Sequence, residues 1–438
     1  VTTGRAAGQD PGFRGSWVAP LLWGASAQTF CAGEFTLAAA ERREDGTLSP
    51  TTRTRLLPGP RFTDAELDLE QMSDELAGAA LDFARVRSAD RLDLLDLRAE
   101  SHIATGDLDA ASADADAMLE IARRAKKPAM VAQALNRRAY VEIRSMRAHD
   151  ALTTAQEAMD AAGRSRQPPL EAIALLRLGE AQFRTDANAL AARNCARAAR
   201  MFKASGQAAW EGRAWWGVAA ARGGQGRVED GNRAATRALA LARRAGDLYG
   251  VGNAINMLTF HEPDIAKCMR LLKQALAAFE AAGYAERLGV ITHNLGNQYS
   301  NLGPYRRARR LFLQAGDAYR RAGSVGFGLA TTLWMLGNTE HALGNAVAAR
   351  ANFVEAVDRW ETSRAEHYAA YRPVVYGQLA LWEGDPVSAA TLYEEGVRLL
   401  RDSDQVAFEI NALVGLSEAY LAAGRADAAL AASERATS

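Results

Sequence analysis

Cysteine is nearly absent. The 438-residue chain has 3, Cys31, Cys195 and Cys268, too few and too far apart for a zinc site or a disulfide framework. Such scarcity suits a reducing compartment, with Cys195 and Cys268 as small apolar core residues. Net charge is missing as well: basic and acidic residues cancel at 52 each. That removes the bulk electrostatic argument for a nucleic-acid or anionic-membrane surface. No run approaches the roughly eighteen apolar residues a membrane helix requires. The nearest approach to a targeting signal is the apolar stretch 17–27, behind Arg5 and Arg14 and ending Ala25-Ser26-Ala27. It is short, broken by Pro20 and preceded by Asp10, so a cytoplasmic protein is expected, with export as the alternative.

Signatures of catalysis and cofactor binding are lacking too. There is no Gly-x-x-x-x-Gly-Lys-Ser/Thr loop, and the Gly-rich 223–226 segment has no lysine after it and reads as a turn. The 6 histidines form no His-Glu-x-x-His set, and His261-Glu262 runs into Pro263 as a helix end would. Gly-x-Ser-x-Gly is absent. An enzyme is therefore not expected, nor is a metal or a cofactor. The pairs Arg306-Arg307, Arg309-Arg310 and Arg320-Arg321 are the best case for nucleic acid. In a chain of zero net charge they read as a solvated face, and no nucleic-acid partner is expected.

What the chain has is a repeat. Asn294-Leu295-Gly296-Asn297-Gln298-Tyr299 is followed by Leu302-Gly303 and Ala308; Met335-Leu336-Gly337-Asn338 is followed by Leu343-Gly344 and Ala349, at the same spacing. In this register a small-residue column runs Ala99, Ala139, Gly179, Ala219, Thr259, Gly296, Gly337, Gly377 and Ser417, about forty residues apart. A second column begins at Ala111 and a third at Met118. Turn glycines fall at Gly106, Gly226, Gly303, Gly344, Gly384 and Gly424. Each unit reads as helix, turn, helix, because small residues let antiparallel helices approach closely. One such pair cannot bury its apolar face alone, so neighbours must stack.

The order of large apolar residue, Gly or Ala, Tyr three on, turn Gly and two later Ala resembles the tetratricopeptide repeat family. The resemblance covers residues 90–438 and is closest over 288–361. The period is longer than that family's usual thirty-four or so residues. It is similar to the long-repeat variants of kinesin light chains and bacterial signalling proteins; HEAT-type repeats share the period but not the Leu-Gly-x-x-Tyr and turn-Gly order. A bacterial source also fits the excess of Arg over Lys and the abundance of Ala, a pattern like that of GC-rich coding. The expected fold is all-α, a right-handed superhelical solenoid of antiparallel helix pairs. Nine pairs span 89–438, the last truncated with no capping helix, as in part of a longer protein; a half-repeat helix covers 63–88, and an irregular leader or linker covers 1–62. In the fifth unit Pro263 must end the first helix early, with Asp264 capping the next. A local bend there and a tolerated deletion are both open.

In tetratricopeptide arrays first helices line the concave groove where partners lie. The positions expected to face it include Trp216, Asn253, Asn256, Phe260, His293, Asn297, Trp334, Asn338 and Gln378. Amides can donate to and accept from an extended peptide, and aromatics add contact area at low entropic cost. The alternative for these residues is that the amides bond neighbouring helices and the tryptophans fill core. By resemblance, the Asn after the Leu-Gly pair contacts bound peptide, which maps onto Asn297 and Asn338. The expected function is a protein-interaction scaffold holding a peptide or partner helix. The alternative is the sensor arm of a larger bacterial regulator, such as an ATPase-linked transcription activator or a nucleotide cyclase.

Overall fold

A computed structural model describes residues 35–42, 48–56 and 88–437, apart from 146, 324–325, 363–370 and 403–405. The apolar stretch 17–27, the Pro-Gly-Pro at 58–60 and nearly all of the expected half-repeat helix lie outside those residues. Strands β1 (Phe35–Arg42) and β2 (Leu48–Leu56) pair antiparallel within the segment for which the repeat made no provision.

From Ser88 onward the described residues form eighteen helices in nine consecutive pairs. They are α1 (Ser88–Thr105), α2 (Leu108–Ala125), α3 (Pro128–Arg144), α4 (Ala148–Ser165), α5 (Pro168–Arg184) and α6 (Asn188–Ala204). Next come α7 (Ala208–Gly224), α8 (Val228–Ala245), α9 (Leu248–Thr259), α10 (Ile265–Ala282), α11 (Ala285–Asn301) and α12 (Tyr305–Arg321). The last are α13 (Phe327–Ala342), α14 (Ala346–Thr362), α15 (Tyr371–Trp382), α16 (Pro386–Asp402), α17 (Val406–Ala422) and α18 (Ala426–Thr437). The chain divides into two compact units, Val1–Leu288 and Gly289–Ser438, with the boundary falling in the α11 sequence.

Local chemistry sets the helix ends. All six expected turn glycines have positive φ, from 71° at Gly226 to 94° at Gly303, a conformation that a Cβ disfavours. In the third pair the same place is taken by Asp186 at φ 57°. Pro128 and Pro168 open α3 and α5, where a missing N–H costs nothing. Asp107, Asp247, Asp264 and Asp385 each accept a backbone N–H three residues on, at 2.9–3.0 Å. The fifth pair follows the sequence: α9 is cut to 12 residues, Pro263 stands in the link, and Asp264 caps α10. The Thr259 carbonyl stranded at that early end accepts the Cys268 thiol at 3.7 Å.

The small column is half of a pairing rule. An added methyl at Gly337 would stand 2.5 Å from Phe353, and at Gly296 2.7 Å from Phe312. At Gly377 it would stand 3.1 Å from Tyr393, and at Gly179 2.5 Å from the Cys195 sulfur. In every case the partner lies sixteen residues on, in the second helix of the same pair. Where the column holds Ala, the residue sixteen on is also Ala: Ala99 and Ala115, Ala139 and Ala155, Ala219 and Ala235, all buried. Interiors close-pack, so a larger residue on one helix requires a smaller one facing it. The first unit therefore has an alanine-rich core, while the second is built around buried Phe312, Phe353, Trp360, Tyr371 and Tyr393. In the first unit successive first helices also pack on one another, α1 on α3, α3 on α5, α5 on α7 and α7 on α9; in the second, α15 packs on α17.

Candidate interaction faces on the first helices

In the second unit the expected residues meet in two small assemblies. His293 Nδ1 lies 2.9 Å from Thr332 Oγ1, and the Thr332 hydroxyl donates its one proton to the Gly328 carbonyl at 2.7 Å. Nδ1 must therefore be the donor to Thr332, which leaves Nε2 as an acceptor. Nε2 takes the Asn297 amide N–H at 3.0 Å. Burial lowers the imidazole to about 4, which keeps it neutral near pH 7, as this arrangement needs. The chain of bonds fixes which way the Asn297 amide points, and its Oδ1 is left buried with no hydrogen-bond partner.

The second assembly joins Trp334 and Gln378. The indole Nε1 donates to Gln378 Oε1 at 3.2 Å, and the ring packs edge-on against Trp360 and Tyr371. Trp334 is 9% exposed and acts largely as core. Asn338, half-buried one turn further along α13, shares a face with Trp334 and Thr331, the last of which carries a buried, unpartnered hydroxyl. The sequence reading missed Thr331, although its place three residues before Trp334 and seven before Asn338 marks it.

In the first unit the expected residues are dispersed. Asn253 is 6% exposed and donates to the Tyr249 carbonyl within its own helix. The Asn256 carbonyl accepts from Thr259, Trp216 is half-buried, and Phe260 stands 59% exposed at the end of α9. The polar feature of this unit is a different one. Arg137 on α3 bridges Asp96 and Glu100 on α1. Tyr284, in the link to α11, donates to Glu100 at 2.9 Å and packs at a tilt against Tyr249, with ring centroids 4.3 Å apart. The Arg177 guanidinium lies 3.8 Å over the Tyr140 ring and pairs with Glu180. Arg213 pairs with Asp247 and lies over Trp210 and Tyr249. Arg144 pairs with Glu286 at the start of α11.

Four arginines of this network, Arg137, Arg144, Arg177 and Arg213, are thus matched by carboxylates, so it does not constitute a bare cationic site. Burial would push the Glu100 carboxyl up, but Arg137, Arg213 and the Tyr284 bond hold it down at about 2. Burial likewise opposes ionisation of Tyr249, yet Arg287, Arg144, the Tyr140 hydrogen bond and Arg213 together draw its phenol below the ordinary value. The arrangement ties α1 and α3 to the α10–α11 junction by polar and aromatic contacts. Among the described residues no cluster of His, Cys, Asp and Glu could hold a metal ion, and no helix is long and apolar enough to cross a membrane.

No protein-family model and no curated protein matches the sequence. Solved structures do match in fold. A Rap protein in complex with competence and sporulation factor superposes with a TM-score of 0.59 at 14% identity, over 80% of this chain and 97% of that one. The apo quorum sensor NprR from B. thuringiensis gives 0.38 at 14% identity, covering 84% and 92%. Human IFIT1 with m7Gppp-AAAA gives 0.49 at 15%, covering 86% and 90%. With the repeat and the helix pairing, the class is defined: each unit is an array of antiparallel helix pairs of tetratricopeptide-like fold.

Proposed function

We propose that the chain is a non-enzymatic protein-interaction scaffold that holds an extended peptide segment against the first helices of its second unit. The observation that carries this reading is the Asn297 amide, oriented by neutral His293 with its oxygen buried and unsatisfied. Such an acceptor costs about 1–3 kcal/mol until a donor arrives, and a peptide N–H is a donor of the right kind. Asn338 and Thr331 add hydrogen-bonding groups on α13, and Gln378, already holding the Trp334 indole, keeps amide protons to offer. In this reading Trp334 supports the face from below. The reading is supported by the Rap protein of similar fold, which was solved in complex with competence and sporulation factor. The buried, free thiols of Cys195 and Cys268 suit a cytoplasmic setting.

The test begins with peptides selected from a displayed random library by the purified chain. Asn297→Ala with Asn338→Ala is expected to weaken the selected peptides at least about tenfold, with helicity and melting unchanged. Loss of the fold in the double variant, or unchanged affinity, would overturn the reading.

A further inference from the structure

Helix α12 contradicts the neutrality of the chain. Its 17 residues carry six arginines, Arg306, Arg307, Arg309, Arg310, Arg320 and Arg321, against one acid, Asp317. Four of the six crowd the N-terminal end, where the helix dipole disfavours positive charge. Pro304 caps that end without a side-chain bond, and no acid stands in the first turn. By contrast α8 opens with Glu229 and Asp230, and Asp230 answers Arg227 and Arg233. On α12, Arg309 pairs with Glu340, and Arg320 with Asp317 and Glu355. Among the described residues Arg306, Arg307, Arg310 and Arg321 form no ion pair, and all four are exposed. Arg307 rests over the Tyr299 ring at 4.5 Å.

The exposed face is also partly apolar. Arg306, Arg310 and Leu313 follow one another at helical spacing, and Leu313 is 41% exposed. Leu302, at 51%, and Tyr305, at 37%, lie beside them. Arg307 and Arg309 serve neighbouring helices, but Arg306 and Arg310, set against the dipole, without ion pairs and in line with exposed Leu313, have no acid through which to hold the helix pair together. We propose that this face of α12 is a second docking surface, made for an acidic amphipathic helix of a partner protein. Carboxylates four residues apart would meet Arg306 and Arg310 with the fork geometry guanidinium favours, and an apolar side chain one turn on would cover Leu313. Phosphate chains fit less well, because the leucines offer them nothing and Arg307 is engaged by Tyr299. A bilayer fits less well because the leucines are half-covered and cannot insert.

The full-length chain would be titrated into four fluorescent probes. One is a short helix bearing Glu and Leu on one face, and one is the same composition scrambled. The others are an oligouridylate of equal charge and phosphatidylserine-containing vesicles. The amphipathic helix should bind at least about tenfold more tightly than any other probe. Arg306→Gln with Arg310→Gln, and separately Leu313→Ser, should each weaken it about tenfold, while Arg193→Gln with Arg200→Gln on α6 should not. Far-ultraviolet circular dichroism would confirm that every variant is folded. Equal binding of the scrambled probe, tighter binding of the oligouridylate or the vesicles, insensitivity to the α12 variants, or no binding at all would overturn the proposal.

Discussion

The Tyr284 hydroxyl donates a hydrogen bond to the Glu100 carboxylate across 184 residues of sequence, at 2.9 Å. It is a contact between the two ends of the first unit's helical series, and the Arg144–Glu286 ion pair stands in the same closure. Removing the hydroxyl with Tyr284→Phe should cost about 1–2 kcal/mol, the lower part of the range for bonds to charged groups because Glu100 keeps Arg137. Glu286→Gln should cost more, up to about 3–5 kcal/mol, because it leaves the 6%-exposed Arg144 side chain without its counter-charge. Urea unfolding gives both values. Hydrogen exchange should place the loss in α1, α3 and the start of α11, and an effect spread evenly over all eighteen helices would refute the closure.

The two units should respond to acid in different windows. His293 has a folded value of about 4 against an ordinary 6.5, set by burial. The unfolded chain therefore binds that proton first, and the stability involved is complete above 6.5 and declines as pH falls toward 4. Glu100, held at about 2 against an ordinary 4.5, contributes stability that is complete above 4.5 and lost as pH falls toward 2. His293→Gln should flatten the upper decline in melting temperature and leave the lower one in place. Glu100→Gln should do the reverse.

The pairing of small and large residues sixteen apart predicts a strong coupling. Gly337→Ala alone drives a methyl into Phe353 and should cost about 1–3 kcal/mol. Phe353→Ala alone empties a fully buried ring site and should cost about 3–5 kcal/mol. The double variant recreates the Ala–Ala pair that Ala139 and Ala155 already use, so it should be more stable than the sum of the two losses by at least about 1 kcal/mol. Additive losses in a double-mutant cycle would show that the two positions do not share one volume.

In the proposed mode of binding, His293 acts on a peptide only through Asn297. His293→Leu should therefore weaken a selected peptide by several-fold, less than Asn297→Ala does, and combining the two should add little to Asn297→Ala. Calorimetric titration of the three variants checks the order. A His293 effect that persists in full on the Asn297→Ala background would mean that the imidazole touches the peptide itself.

Much of this architecture was legible in the residues. The turn glycines were readable because a positive φ admits few alternatives, and Pro263 with Asp264 because a missing N–H and a cap each have one structural meaning. Arg137 could have been found by the same means. It lies 41 residues from Asp96 and 37 from Glu100, close to one repeat, so adjacent first helices were bound to bring them together. Tyr284 meeting Glu100 was not legible, because it depends on small rotations accumulated over many helix pairs, none of which leaves a mark on any one residue. Asn253 shows the opposite limit. Its spacing fits the expected face, but the side chain turns to the Tyr249 carbonyl, a choice of partner that periodicity does not encode.

The sixteen-residue match has a consequence for how such an array can change length. Because both members of a match sit in one helix pair, a whole pair can be duplicated or deleted with its internal fit preserved, whereas a crossover inside a pair would set an alanine against a phenylalanine or leave a glycine facing an alanine. Several pairs carry an extra condition. Cys195 also needs the space left by Gly217, Tyr319 that left by Gly328, and Tyr393 that left by Gly415, each in the following pair. Recombination would thus be tolerated at joints free of such a match, but not at these, where neighbouring modules have become obligate companions.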